Sequence, residues 1–137
     1  MPTEVDRELE EYFETMPFLD TIGITKAEIE DGTARFYVPV SDHISNHSVV
    51  HGGVAATLID ATVAAATHSA AGATLDDMEP LTISNTANYL APIEEGEIVA
   101  EATMRSVGRT IAYGESDVYN GETLVATGST TYFQKWK

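Results

Sequence analysis

The 137-residue chain has no cysteine. That removes disulfide frameworks, thiolate nucleophiles and cysteine-ligated zinc, and it fits a reducing cytoplasm, the expected location. Basic residues are scarce, with 7 Lys and Arg against 22 Asp and Glu, for a net charge of −15. Such a balance argues against nucleic acid and anionic membrane as partners. The N-terminus is acidic and lacks an apolar h-region, so no signal peptide is expected. The four histidines show no metal-ligand spacing, and no metal site is expected. No repeat, low-complexity tract or linker marks a second domain, so residues 1–137 are read as one domain, with 1–19 an N-terminal helix and lead-in. An apolar share of 43% is enough for an ordinary core, so the acids belong on the surface. With only three lysines, that surface is like those of proteins from salt-loving archaea, in which salt screens the self-repulsion.

What is present is one unusual run. From His51-Gly52-Gly53 to Ala71 the residues are Ala, Val, Leu, Ile, Thr, Ser and Gly, interrupted by Asp60 and His68. The pattern predicts a helix that is apolar or small nearly all round, and therefore buried on most sides. It is too alanine-rich and too often broken by polar residues for a membrane span. His51-Gly52-Gly53 stands at its start, where backbone N–H groups have no intrahelical partner and suit a developing oxyanion. Asp60, among Leu58, Ile59, Ala61 and Val63, is costly to bury without a partner. Nine residues of helix put Asp60 on the face opposite His51 and roughly 13 Å further along. Two antiparallel copies of the helix would bring the start of one to Asp60 of the other, so a homodimer with shared sites is expected.

The rest of the chain supports one layered arrangement. Thr3 to Thr15 predicts a short helix ended by Pro17. Strands are expected over 22–30 and 33–40, then a polar loop over 41–50 ahead of the long helix. After an acidic loop over 72–80, four strands follow at 81–91, 97–105, 109–119 and 123–134, with a hairpin signal at Asn120-Gly121. One apolar helix wrapped by an antiparallel sheet is an α+β arrangement.

This order of elements resembles the hotdog fold. Asn46-His47-Ser48-Val49-Val50-His51-Gly52-Gly53, continuing to Asp60, resembles the signature of phenylacetate-pathway-type acyl-CoA thioesterases. Tyr89-Leu90-Ala91-Pro92 and Ser106-Val107-Gly108-Arg109-Thr110 fit the same pattern. The resemblance runs from about residue 20 to the end, and it departs from the family at Ser45, where an Asn is common, and at Ser48, where Gly is frequent.

The resemblance implies hydrolysis of an acyl-CoA thioester by a homodimer or dimer of dimers, with sites at the dimer interface and no cofactor beyond the coenzyme A of the substrate. It makes Gly52 N–H the group that polarises the carbonyl and Asp60 of the partner chain the general base or nucleophile. Asn46, after a one-residue loop shift, or His47 takes the carbonyl-assisting role, and Thr82 helps place the water. His51 is expected to fix the loop and helix start beside Gly53. Arg105 and Arg109, flanking Gly108, are candidates to hold the coenzyme A phosphates; the alternative is a solvated hairpin. Phe18, Leu19, Val63, Met78 and Leu81 are candidates to line the acyl pocket.

The plainer reading of Asp60 is a structural carboxylate paired across an interface, and that of His68 a core or interface histidine. Two other functions share the fold: a non-catalytic acyl-CoA-binding module, which would not need Asp60, and a dehydratase or hydratase, which typically uses a catalytic His in other sequence contexts.

Overall fold

The computed structural model describes residues 1–137. Helix α1 (Glu4–Thr15) begins at a capping box, in which Thr3 Oγ1 accepts from Asp6 N–H and Asp6 Oδ2 accepts from Thr3 N–H. Leu9 and Phe13 are its buried apolar residues. Pro17 does more than end this helix. It opens a second one, α2 (Pro17–Ile22), because a residue with no N–H and a fixed φ fits the first helical position. The predicted strand therefore starts later, at Lys26.

Strands β1 (Lys26–Glu30) and β2 (Thr33–Pro39) form a hairpin. A 3-10 turn (Asp42–Ile44) and a small ribbon, β3 (Ser45–Asn46) with β4 (Val49–Val50), occupy the predicted loop. The long helix α3 spans Gly52–Ala71. It is followed by β5 (Met78–Tyr89), β6 (Glu97–Val107), β7 (Ile111–Asn120) and β8 (Thr123–Trp136). Six strands make one sheet in the order β1-β2-β6-β7-β8-β5, antiparallel at every pairing.

Helix α3 crosses the inner face of this sheet and touches all six strands. The arrangement is the hotdog fold. Leu58, Ile59, Val63, Ala65 and Ala66 are fully buried, against Phe36, Val38, Ile98, Ala100 and Val118 of the sheet. Small residues let helix and sheet approach closely. Gly128 serves both helix and neighbouring strand: a Cβ there would lie 3.1 Å from Ile59 of α3 and 2.0 Å from the Thr86 carbonyl oxygen of β5.

The two sheet edges are treated differently. On β1 the free N–H groups of Ala27 and Ile29 donate to Glu14 and Glu10 of α1, so that edge is covered. The β5 edge has no such cover, and its residues from Leu81 to Thr86 are exposed, among them Leu81 (42%) and Ile83 (58%). No helix is long and apolar enough to cross a membrane.

His68 lies in the core of the chain rather than on an open face. It is fully buried against Phe13, and its Nδ1 is 2.9 Å from the Ala73 carbonyl. A carbonyl only accepts, so Nδ1 carries the proton and Nε2 faces the interior without a partner. Burial holds the imidazole below its ordinary pKa of 6.5, against a smaller opposing effect of the Ala73 bond. A base depressed in the folded state contributes stability that is complete above the unfolded value and is lost as pH falls below it. The free energy of unfolding should therefore drop as pH falls below 6.5, by up to about 1.4 kcal/mol per pH unit from this group. Urea titrations between pH 5 and 8 should show a shallower dependence in His68→Gln than in the native chain.

Candidate active site

The start of α3 is held by side chains. His51 is the N-cap, and its Nδ1 accepts from Gly53 N–H at 2.9 Å. On the other side of the same peptide unit, Tyr89 Oη donates to the Gly52 carbonyl at 2.9 Å. The Gly52–Gly53 peptide is thus fixed at both ends. Gly52 N–H, one of the orphan donors of the first turn, finds no acceptor within the chain.

Because His51 lies outside the helix as its cap, the angle to Asp60 counts from Gly52. Eight residues turn about 800°, leaving only about 80° between Gly52 and Asp60 around the axis, with roughly 12 Å along it. Strand β5 runs beside this face and meets it three times. Tyr89 reaches Gly52, Asn85 Nδ2 donates to the Ala56 carbonyl at 3.2 Å, and Thr82 Oγ1 donates to Asp60 Oδ1 at 3.1 Å. Thr82 and Asn85 are three apart, which on a regular strand would put them on opposite faces. A bulge between Thr82 and Ser84 absorbs one residue, and both then pair with helix-facing residues of β8, Tyr132 and Thr130.

Asp60 is half-buried and receives a second donor, the Tyr132 hydroxyl, which lies against Asp60 Oδ1 and its carbonyl oxygen. Tyr132 is itself 2% exposed. Burial, then the charge of Asp60 and the bond to it, push the phenol far above its ordinary range, so it stays protonated and donates. Tyr89, Asn85 and Tyr132 are neighbours of Gly52, Ala56 and Asp60 that sequence reasoning did not single out as site residues. The alternation of β8 places Tyr132 on the inner face with Thr130 and Gln134, but it does not say which helix residue lies opposite.

Two recesses flank the helix start. A groove of about 530 Å³ is lined by Phe18, Thr21, His43, Asn46, His51, Gly53 and Thr57. A more apolar one of about 400 Å³ is lined by Val49, Gly52, Tyr89, Leu90, Pro92, Ile93 and Val125. Asn46 therefore shares a recess with His51 and Gly53. His47 lies apart, in an acidic recess with Asp42, Glu94 and Glu95.

Neither recess beside Gly52 includes Arg105, Gly108 or Arg109. Arg105 pairs with Glu115 on the exposed sheet, while Gly108 and Arg109 offer their carbonyls to Gln134 Nε2 and Trp136 Nε1. Of the candidates for an acyl pocket, Leu19, Val63 and Met78 are buried in the core, and Phe18 and Leu81 are exposed.

The clamp on the helix start is testable by itself. Tyr89→Phe removes one hydroxyl from the Gly52 carbonyl and keeps the ring. Urea unfolding should show a loss of about 1 kcal/mol with an unchanged m value.

Comparison with known proteins places these residues in context. A model of the thioesterase superfamily matches residues 47–127, which includes the whole of α3. A protein of Halobacterium salinarum that carries a provisional esterase designation is 31% identical over 114 residues, 80% of this chain and 74% of that one. Among solved structures, the conserved protein PA5202 of Pseudomonas aeruginosa superposes with a TM-score of 0.82 at 28% identity, covering 90% of this chain and 97% of that one. A point mutant of the phenylacetic acid degradation protein PaaI from Thermus thermophilus superposes with a TM-score of 0.73 at 26% identity, covering 85% and 97%.

Proposed function

Because the chain belongs to the thioesterase superfamily, we propose that it hydrolyses an acyl-CoA thioester to the free acid and coenzyme A at sites shared between two copies of the chain. The observation that carries this reading is the separation of the two chemical groups. Gly52 N–H is an unpaired donor at the positive end of a helix, and Asp60 is a braced carboxylate roughly 12 Å along the same helix. One small reacting group does not span that distance.

A second copy supplies the missing half. The bare β5 edge is self-complementary: antiparallel pairing of two such edges about a two-fold axis continues the sheet and lays the two α3 helices side by side. The start of each helix then faces Asp60 of the other. In this arrangement Gly52 N–H donates to the thioester oxygen as negative charge builds on it, an effect worth roughly 3 kcal/mol for one preorganised donor. Asp60 takes a proton from the water that attacks the carbonyl, the C–S bond breaks and the coenzyme A thiolate leaves with that proton; or Asp60 attacks the carbonyl itself, expelling the thiolate and forming an anhydride that water then opens, its proton going to the thiolate. Thr82, already on Oδ1, orients the carboxylate. His51 fixes the donor peptide, and Asn46 lies in the groove beside it. The apolar recess against Gly52 offers room for part of the substrate. The acid-rich surface suits a protein that works in high salt. The proposal places it in the cytoplasm as a dimer or dimer of dimers.

The test is free-thiol release from short, long and aromatic acyl-CoA thioesters, in low and in molar salt. Asp60→Asn should lower kcat by about 10² to 10⁴ while dimer and ligand binding persist. Binding of acyl-CoA with no turnover in the native chain would favour the non-catalytic module.

Gly52→Pro tests the shared site. Proline fits the first helical position and lacks the N–H, and His51 is already at φ −60°, ψ 134°, which a following proline accepts. Each variant alone should be inactive. Mixed and re-equilibrated, half of the dimers carry one intact site, and activity should return to about a quarter of the native value. A site built within one chain would give no recovery.

A further inference from the structure

The carboxylate of Asp60 is held unevenly. Oδ1 receives two donors from its own chain, the Thr82 hydroxyl at 3.1 Å and the Tyr132 hydroxyl, whereas Oδ2 receives none. The two donors are register partners, directly opposite one another in the β5–β8 ladder, and both aim at one oxygen. Asp60 is also the one charged group acting on Tyr132. A phenylalanine would fill the same buried space, so the hydroxyl is not required for packing. Its position against the single acid in the middle of α3 calls for another explanation.

Resting on the hydrolytic reading above, we propose that Tyr132 is a positioning residue for Asp60. Its phenol fixes Oδ1 and the side-chain rotamer, so that Oδ2 is turned toward the neighbouring subunit's helix start as the working oxygen. The phenol does not touch the reacting atoms; it acts through Asp60. Thr82 gives a weaker second hold from the edge strand. A tyrosine suits the first role because it has only two side-chain torsions and is locked between α3 and β8.

The experiment measures kcat and KM of the full-length protein in its native oligomer, with an acyl-CoA thioester that the native chain hydrolyses. Tyr132→Phe should keep the oligomer and lower kcat roughly tenfold with KM within about twofold. A role in packing alone would lower the melting temperature and leave kcat, measured below that temperature, at the native value, and that result would overturn the proposal. Should Tyr132→Phe fail to fold, 3-fluorotyrosine at position 132 is nearly isosteric and a stronger donor. It should change kcat at unchanged KM, and a kcat that stays at the native value is again the refuting outcome. Asp60→Asn separates the two levels of the argument. If it retains full turnover, the assignment of Asp60 as base or nucleophile fails, and the positioning role with it. If it is inactive while Tyr132→Phe behaves as the native chain, only the positioning role falls.

Discussion

The seating of α3 on the inner face of the sheet is the contact on which every other feature depends. The helix is almost entirely apolar, so it gains most by being covered on most sides, and the curved sheet does this with residues such as Phe36, Ile98 and Val118. The glycine at 128 leaves room for the Ile59 side chain and for the β5 backbone at Thr86. Once the helix is fixed in that way, its first turn and Asp60 have fixed positions too. The side chains of β5 and β8 that bond to Gly52, Ala56 and Asp60 then refine a placement that packing has already made.

The same packing explains why an acid is tolerated in the middle of this helix. Asp60 points along the seam where α3 meets the edge strand, and the Thr82 and Tyr132 hydroxyls replace part of its hydration. The seam lies beside the uncovered edge of the sheet. Glutamates of α1 satisfy the opposite edge, so the molecule carries one blunted edge and one bare one. A chain that buries its core well yet leaves twelve residues of strand unpaired on one side has Asp60 next to that unpaired side.

Local pattern made much of the fold legible. The composition of residues 52–71 identifies a buried helix, and the inner faces of β2 and β6 follow the alternation of Ala34, Phe36 and Val38 and of Ile98, Ala100 and Ala102 in the sequence. The motif around His51-Gly52-Gly53 locates the helix start, and Thr82 does bond to Asp60. Other features escaped for identifiable reasons. Pro17 reads equally as an end and as a beginning, and only the chain after it tells which. The bulge at Ile83 leaves no mark in the sequence, yet it decides that Thr82 and Asn85 face the same way. His47 and Asn46 are neighbours in sequence but occupy different recesses, because the short β3–β4 ribbon turns between them.

By itself, the sequence determined the class of fold, the burial of the central helix and the chemical character of its start and of Asp60. These follow from side-chain polarity and spacing along one element, which are local properties. Only the tertiary structure decided which side chains brace those two points. Tyr89 meets Gly52 across 37 residues and Tyr132 meets Asp60 across 72, contacts set by strand order, register and one bulge. Those quantities depend on how distant segments pair, and no stretch of the chain encodes them alone.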